Sequence, residues 1–521
     1  MKASSHTKKL WGQRLRAVLL GLLIPVMTWP ATYQTQAPVV VFGDVHGAYT
    51  AMRELLQGIG IVDANEQWIA GDTQLVSIGD LLDRGPDSKL AMDMLMRLQG
   101  EARAAGGQVH VLIGNHELMN LGGDVRDVSA AEFEALGGVE GHRAAFAVDG
   151  KYGQWLRTLP VALKINDTLF GHAGFSRTSQ APIEVLNNRF WQAFAHVASL
   201  GEQAKAAGLA AADHTVLGLP EIDGDIPDAL EAWHAATLAE PLGETGLAWY
   251  RGNTSCHGLI ESSVVDGVLE FHQAVRIVVG HTPTPSRRIE SRLGDRVLAI
   301  DTGMFNPVYK GSAFALRIDP AGALSVLTPQ GDEIAVLSEE VRQSQREEKF
   351  AESFQRLPMK TRAAQKATAA YLLSDYLEFD LVPMTALDEG GVRQMEERLL
   401  LERTRQERQL YRPNYCDQAS DYDLLAAFDS LLGKTDRNLD NLAYSRRDWT
   451  IRALENGNAF PTSSRLPTYA HTPKLAPALR DKLGALDEAT LAELFGSLLK
   501  PREVRAVLKR RDKILRWESS G

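Results

Sequence analysis

Short apolar runs alternate with amphipathic segments through the central part of the chain. The apolar runs have the length and β-branched content of strands buried on both faces. They predict strands over 39–43, 74–79, 109–114, 163–171, 275–280, 297–300 and 314–318. Apolar residues at helical spacing predict helices over 49–59 and 87–98. The early alternation of strand and helix therefore predicts an α/β sheet with right-handed crossovers.

The pattern changes after Ser338, where Arg, Glu, Leu and Ala dominate and apolar residues keep a helical spacing. We therefore predict an α/β domain over 38–338 and a mainly helical C-terminal domain over 339–521. Within the first domain, aromatic and aliphatic residues at helical spacing over 185–194 predict a helical insertion spanning 176–248.

The first residues are typical of an export signal. Five basic residues precede an apolar run over 17–27, and no acidic residue occurs before Asp44. This run is shorter than the roughly 20 residues of a membrane-spanning helix. We predict a signal peptide over 1–37 that is cleaved after Ala37, or alternatively after Ala31, and a periplasmic protein. An uncleaved N-terminal anchor is the alternative, and no membrane span is predicted in the mature chain.

Composition narrows the function classes. The 521 residues include 56 basic and 66 acidic side chains, a formal net charge of −10, which disfavours a nucleic-acid partner. Two cysteines, Cys256 and Cys416, are too few for a disulfide framework or a four-cysteine zinc site. They could form one bridge, although nothing in the sequence places them together.

Five predicted strands end in Asp, Asn or His beside a glycine. These ends read Gly43-Asp44-Val45-His46, Gly79-Asp80, Gly114-Asn115-His116, Gly171-His172 and Gly280-His281. Ligands of α/β sheets bind beyond the carboxyl ends of strands. Carboxylate oxygen and imidazole nitrogen together suit Mn²⁺, Fe or Zn²⁺. The five ends together predict a metal site at this edge of the sheet.

Two of these segments carry a family resemblance. The run Gly79-Asp80-x-x-Asp83-Arg84-Gly85 and the run Gly114-Asn115-His116-Glu117 resemble calcineurin-like metallophosphoesterases of the phosphoprotein phosphatase branch. The continuation to Asn120, with Gly123-Asp124-Val-Arg126, is similar to Shewanella-like protein phosphatases. The resemblance covers roughly residues 38–330, and it implies a four-layer α/β/β/α sandwich.

The resemblance also implies a cofactor and its ligands. Two divalent metal ions are expected, with Mn²⁺ favoured and Fe or Zn²⁺ as alternatives. In this family the first ion would be bound by Asp44 and His46, and Asp80 would bridge both ions. The set would be completed by Asn115, His172 and His281.

Four further residues receive catalytic roles from the resemblance. His116 would be the general acid, oriented by Asp83. The phosphate oxygens would be held by Arg84 and by Arg251, since arginine forks match phosphate geometry.

This set predicts hydrolysis of phosphomonoesters. A hydroxide bridging two metals can attack phosphorus in line, while a nearby histidine protonates the leaving oxygen. No Cys-x5-Arg loop is present, so a cysteine-phosphate intermediate is disfavoured. Phosphorylated proteins or peptides are the predicted substrates, and nucleotides or dinucleoside polyphosphates are the alternative. The motifs do not separate phosphotyrosine from phosphoserine.

The C-terminal domain carries a second resemblance. The turn Asp436-Arg437-Asn438-x-x-Asn441 is similar to the C-lobe of atypical, lipid-kinase-like kinases, in which it supplies a catalytic Asp and a metal-binding Asn. Glu455 stands where that family has a metal-binding Asp, and too few residues precede the region to form a nucleotide-binding N-lobe. We therefore predict a degenerate, non-catalytic module, with an unrelated helical domain as the alternative. Such a module could recruit a protein partner to a phosphatase.

Overall fold

The computed structural model describes residues 31–218, 227–408, 416, 418–446, 450–469 and 473–518. The predicted signal peptide therefore lies outside the described residues, except for its last seven positions. Among the described residues, the strands of the first domain are β1 (Thr32–Tyr33), β2 (Val39–Phe42), β3 (Gln74–Ser77), β4 (Gln108–Val111), β5 (Ala162–Ile165), β6 (Thr168–Gly171), β7 (Arg276–Val279), β8 (Glu290–Arg292), β9 (Val297–Ala299), β10 (Ala315–Ile318), β11 (Leu324–Leu327) and β12 (Glu333–Ile334).

These strands form two six-stranded sheets. One sheet has the order β12-β11-β10-β2-β3-β4, and the other has the order β1-β5-β6-β7-β9-β8. Strands β2, β3 and β4 are parallel, as are β6, β7 and β9. The carboxyl ends of parallel strands lie at one edge of a sheet, so the loops that follow them can converge.

Alternating side chains of the central strands enter two different cores. On β2, Val39 and Val41 belong to the cluster between the sheets, together with Phe170 and Val278 of the opposite sheet. Their neighbour Val40 faces the other way, into the cluster shared with the helices. Successive residues of a strand point to opposite faces of its sheet. Because these strands are apolar at every position, other elements must pack on both faces of each sheet.

Helices supply that cover. Among the described residues they are α1 (Tyr49–Gly58), α2 (Ser88–Ala104), α3 (Asn115–Leu121), α4 (Ala130–Ala135), α5 (Gly138–Phe146), α6 (Lys151–Leu156), α7 (Ile183–Ala206), α8 (Asp228–Leu238), α9 (Gly252–Ser255), α10 (Gly258–His272) and α11 (Asn306–Tyr309). Helices α7 and α8 occupy the predicted insertion. The α/β architecture is thus confirmed, and the insertion over 176–248 stays a prediction.

Two details of the predicted strands change. The run over 163–171 is a hairpin of β5 and β6, because Asn166 adopts a left-handed conformation (φ 54°) that turns the chain. Strand β1 lies inside the range predicted as signal peptide and pairs in parallel with β5, where Thr32 faces Lys164. Just after it, the backbone N–H of Thr35 donates to Asn166 Oδ1 at 2.9 Å.

The C-terminal region is mainly helical, as predicted, but it also contains two small sheets. Its described helices are α12 (Glu339–Glu352), α13 (Thr361–Tyr376), α14 (Glu402–Glu407), α15 (Gln418–Leu432), α16 (Pro477–Ala485), α17 (Glu488–Phe495) and α18 (Pro501–Ile514). Its strands form the antiparallel sheets β13 (Phe354–Leu357), β14 (Thr385–Asp388) and β15 (Gly391–Met395), and β16 (Leu399–Leu401), β17 (Leu442–Ser445) and β18 (Ile451–Ala453).

This region has its own core, built by α13, α15, α16, α17 and α18. It is also joined covalently to the first domain, because Cys256 and Cys416 form a disulfide across 160 residues of sequence. None of the helices in the described part of the chain is long and apolar enough to cross a membrane.

Candidate active site

Most of the predicted site residues lie just beyond the ends of the central strands, where Asn115 and His116 begin α3, and Arg251 lies directly before α9. Backbone hydrogen bonds join the segments that follow β2 and β3, since the N–H groups of Val45 and His46 both donate to the carbonyl of Asp80 at 2.9 Å. Several site residues have a left-handed backbone: His46 (φ 48°), Asp80 (φ 51°), Asp83 (φ 69°), Arg84 (φ 67°) and His281 (φ 62°). Such conformations are costly outside glycine and concentrate at functional sites.

Two groups of possible metal donors share the carboxylate of Asp80. In the first, Asp80 Oδ2 lies 3.7 Å from His46 Nε2 and 4.0 Å from His116 Nε2. In the second, the same oxygen lies 3.4 Å from His172 Nε2, and His281 completes the group. All five side chains are buried. One carboxylate thus stands between two sets of nitrogen donors.

Backbone carbonyls orient two of these histidines. His46 donates from Nδ1 to the carbonyl of Leu82 at 3.0 Å, and His172 donates from Nδ1 to the carbonyl of Ile78 at 2.9 Å. In a neutral ring this leaves Nε2 as a lone-pair donor to a metal. Burial lowers the pKa of His46 to about 3, so its ring is neutral.

Acceptor atoms converge around His172. Its Nε2 lies 2.9 Å from Asn115 Oδ1 and 3.2 Å from His281 Nδ1. His281 Nε2 is buried without a hydrogen-bond partner in the described structure. Lone pairs and oxygens gathered in a buried space need a cation to offset their mutual repulsion. The donor set therefore fits divalent metal ions.

Asp44 adds a second carboxylate near Asp80. Both of its oxygens accept from the backbone N–H of His281, at 3.1 and 3.0 Å. Burial, and then the charges of Asp301 and Asp80, raise the pKa of Asp44 well above its ordinary value. Burial alone would raise the pKa of Asp80 too, but His172 and His116 hold it well below the ordinary value. A cation at this position would relieve the repulsion between the carboxylates.

A hydrogen-bonded chain connects Asp83, His116 and Asn120. His116 Nδ1 donates to Asp83 Oδ2 at 2.6 Å, and Asn120 Nδ2 donates to the other oxygen of Asp83 at 2.9 Å. Burial opposes the charged form of His116, but Asp80 and Asp83 outweigh it and raise its pKa to about 9. Asp83 thus fixes the orientation of the ring, and the two carboxylates favour its protonated form.

Arg84 and Arg251 border the same cavity of about 370 Å³. Arg251 donates from Nη1 to the carbonyl of His281 at 2.9 Å and to Thr282 Oγ1 at 3.0 Å. Arg84 pairs with Asp127 at 3.4 Å, and its guanidinium carbon lies 5.7 Å from the centre of the Tyr309 ring. The guanidinium groups of Arg84 and Arg251 therefore lie beside the metal donors.

Comparisons with known proteins agree with this geometry. Residues 37–285 match the family model for Calcineurin-like phosphoesterase. An uncharacterised protein of Schizosaccharomyces pombe is 30% identical over 290 residues, which cover 54% of this chain and 77% of the relative. The chain belongs to the calcineurin-like phosphoesterase family.

Two phosphatases are similar to this family member. Shewanella-like protein phosphatase 2 of Arabidopsis thaliana is 26% identical over 309 residues, which cover 56% of this chain and 77% of the relative. The solved structure of a cold-active protein-tyrosine phosphatase from a psychrophilic Shewanella species is 28% identical, with a TM-score of 0.47, and the match covers 58% of this chain and 81% of that one.

The sequence patterns missed several residues of the phosphoesterase site. Glu117 is fully buried and accepts three backbone N–H groups, from Gly114 (2.7 Å), Asp80 (2.8 Å) and Leu81 (2.7 Å). It therefore ties the second strand end to the third. Its only sequence signal was its place in the Gly-Asn-His-Glu run. The cavity is also lined by Met119, Arg126, Asp127, Trp249, Pro283 and Tyr309.

The kinase-like turn forms a separate polar cluster in the C-terminal domain. Lys434 Nζ donates to Asp436 Oδ1 at 2.8 Å and to Asn458 Oδ1 at 3.0 Å. It also donates to the carbonyl of Glu455 at 2.9 Å. Asn441 Nδ2 donates to the backbone carbonyl of Asp436 at 3.0 Å. The ammonium group of Lys434 thus neutralises the carboxylate of Asp436, the residue to which the kinase-like resemblance gives a catalytic role. That resemblance stays a prediction.

Proposed function

We propose that this phosphoesterase hydrolyses phosphomonoesters of proteins or peptides with the help of two divalent metal ions. The observation that carries the proposal is the position of the Asp80 carboxylate between His46 in one donor group and His172 and His281 in the other. The similarity of this chain to Shewanella-like protein phosphatase 2 supports a protein or peptide substrate.

Two donor sets would hold the ions. They are Asp44, His46 and Asp80 for one ion, and Asp80, Asn115, His172 and His281 for the other. When bound, the ions would supply Lewis acidity and an activated water for direct attack on phosphorus. The buried, metal-free carboxylates repel one another, which favours occupation of the site by cations.

The arginines and His116 act on the substrate itself. Arg84 and Arg251 would orient the phosphate oxygens and offset the charge that develops on them. His116 would deliver its Nε2 proton to the leaving oxygen, while its Nδ1–H stays hydrogen-bonded to Asp83. Because Asp83 accepts from Asn120 as well, its carboxylate is held where it can stabilise the protonated ring.

A substrate panel tests this proposal. The purified chain would be given phosphotyrosine and phosphoserine peptides and a dinucleoside tetraphosphate, with Mn²⁺ or with a chelator, and phosphate or nucleotide release would be measured. We expect Mn²⁺-dependent release from peptides and none with the chelator. Hydrolysis of the dinucleoside tetraphosphate alone would show that the substrate is a nucleotide rather than a peptide. If the metal-loaded protein released neither phosphate nor nucleotide from any substrate, the proposed function would be refuted.

We also propose export of the chain, with cleavage after Ala31. Cleavage after Ala37 would remove β1 and the bond from Thr35 to Asn166, whereas cleavage after Ala31 keeps both. The Cys256–Cys416 disulfide supports an oxidising compartment.

The start of the exported protein distinguishes the two cleavage positions. We expect N-terminal sequencing of the periplasmic protein to begin at Thr32. A start at Pro38 would show that β1 is dispensable, and a chain retained whole in the membrane would support the anchor.

A further inference from the structure

Arg251 stands at the start of a helix that cannot hold its own position. Helix α9 is a single turn, and its few internal bonds include those from the N–H groups of Ser255 to Arg251 (2.9 Å) and of Cys256 to Gly252 (3.0 Å). One helical turn is not stable by itself, because nucleation costs more than so few bonds return. The placement of Arg251 must therefore come from groups that contact α9 from outside.

The first domain supplies one set of such contacts. The side chain of Asn253 accepts from the N–H of Phe175 at 2.7 Å and donates to Glu261 at 2.7 Å. Arg292 donates to the carbonyls of Asn253 and Cys256, the second at 2.8 Å. These bonds hold the middle and end of α9 against the sheet and α10.

The C-terminal domain supplies the second set, within a few residues of α9. Cys256, the residue that ends the helix, is bonded to Cys416. His257 Nε2 donates to the carbonyl of Phe379 at 2.7 Å. Leu259 is buried in the apolar core of the C-terminal domain, although it belongs to α10. Cys256, His257 and Leu259 are thus each held by residues of the C-terminal domain.

We propose that the C-terminal domain is a positioning element for Arg251 and thereby sets the affinity of the active site for phosphate. The inference rests on the proposed function, because it takes Arg251 as a phosphate ligand. If the tether is released, α9 samples more conformations and Arg251 contacts His281 and Thr282 for a smaller fraction of time. Apparent affinity falls with the fraction of the binding-competent state. The proton donor His116 lies on other elements and should be unaffected.

The Cys416→Ser variant of the full chain tests the inference. It breaks the bridge without changing any residue near Arg251. With Mn²⁺ present, we expect the KM for p-nitrophenyl phosphate and the Kd for inorganic phosphate, measured by calorimetry, to rise about 5- to 30-fold. We expect kcat to change much less. Hydrogen exchange at the amides of 252–256 should become faster even without metal or substrate.

Two further variants guard against a folding artefact. His257→Asn can still accept from Leu259 at the start of α10, but it cannot reach Phe379, so it should also raise the phosphate Kd. Asp388→Asn removes an exposed ion pair with Arg356 in the C-terminal domain and should leave Kd unchanged. Circular dichroism and the Tm of each variant show whether it has folded.

A double-mutant cycle separates positioning from general destabilisation. In an Arg251→Ala background, Cys416→Ser should add no further loss of phosphate affinity, because the group that it positions is gone. An equal loss in both backgrounds, or an unchanged Kd in Cys416→Ser, would overturn the inference. The phosphate Kd tests the positioning role even if the protein hydrolyses no phosphomonoester. A lack of hydrolysis would refute the proposed function and not the positioning role.

Discussion

Replacing Asp80 with Asn is expected to lower kcat/KM for phosphopeptides by about 10³-fold or more. Asp80 is the one carboxylate common to both donor groups, and an amide offers one neutral oxygen in place of two that share a negative charge. Loss of that charge weakens both metal positions at once. Steady-state kinetics at a fixed Mn²⁺ concentration measures the effect.

Asp266→Asn is the matched control for this change. Asp266 lies on α10 with its side chain 55% exposed, and it pairs with Arg296. The same change of charge there should leave kcat/KM unaltered, since exposed pairs contribute little. If Asp80→Asn kept activity within a few-fold of the control, Asp80 could not be the shared ligand.

Replacing His116 with Asn should lower kcat by about 10²- to 10⁴-fold on phosphoserine peptides, whose alkoxide leaving group needs a proton. The loss should be much smaller on p-nitrophenyl phosphate, because that leaving group departs readily as an anion. Parallel kinetics on the two substrates measures the difference. Asp83→Asn should also lower kcat on both substrates, but by a smaller factor than His116→Asn. The reason is that Asp83 acts through the His116 ring.

Metal content distinguishes two roles for His116. Its Nε2 lies within 4.0 Å of Asp80 Oδ2, so a ligand role is compatible with the distance. A general acid predicts normal metal binding and a loss of kcat that depends on the leaving group. A ligand predicts less bound metal and an equal loss on both substrates, which would contradict the proposed proton transfer.

The order of the central elements could be predicted because burial on both faces leaves a strong signal. Strands such as β2 and β3 are short buried runs, and Asp44 and Asp80 follow soon after the strands end at Phe42 and Ser77. The convergence of Asp44, Asp80 and Asn115 followed from that position. Strand β1 has only two residues with one partner strand, so no periodicity could reveal it.

Contacts between distant parts of the chain were beyond the sequence patterns. The pairing of Cys256 with Cys416 spans 160 residues and depends on how two domains pack. The role of Glu117 depends on three backbone N–H groups whose directions only the folded loops define. Trp249 and Tyr309 line the cavity through contacts that only the folded chain makes, since Trp249 packs edge-on against His281 and Tyr309 stacks on His46. Local sequence patterns therefore located the metal-donor residues but not the residues that hold them in place.

The C-terminal domain shows the same division. Helices such as α13 and α18 were expected from the helical spacing of apolar residues after Ser338. The sheets β13–β15 and β16–β18 were not, because their strands have only three to five residues each. The sequence predicted a degenerate module, and the bonds of Lys434 to Asp436 and Asn458 are compatible with that prediction.

The number of metal ions bound per chain tests the central claim most directly. The purified protein would be stripped with a chelator, dialysed against Mn²⁺ and analysed by elemental mass spectrometry, with Asp80→Asn and Asp266→Asn prepared in parallel. We expect two ions per chain in the unaltered protein and in Asp266→Asn, and fewer than one in Asp80→Asn. Equal metal content in all three proteins, or none in the unaltered chain, would contradict a metal pair centred on Asp80.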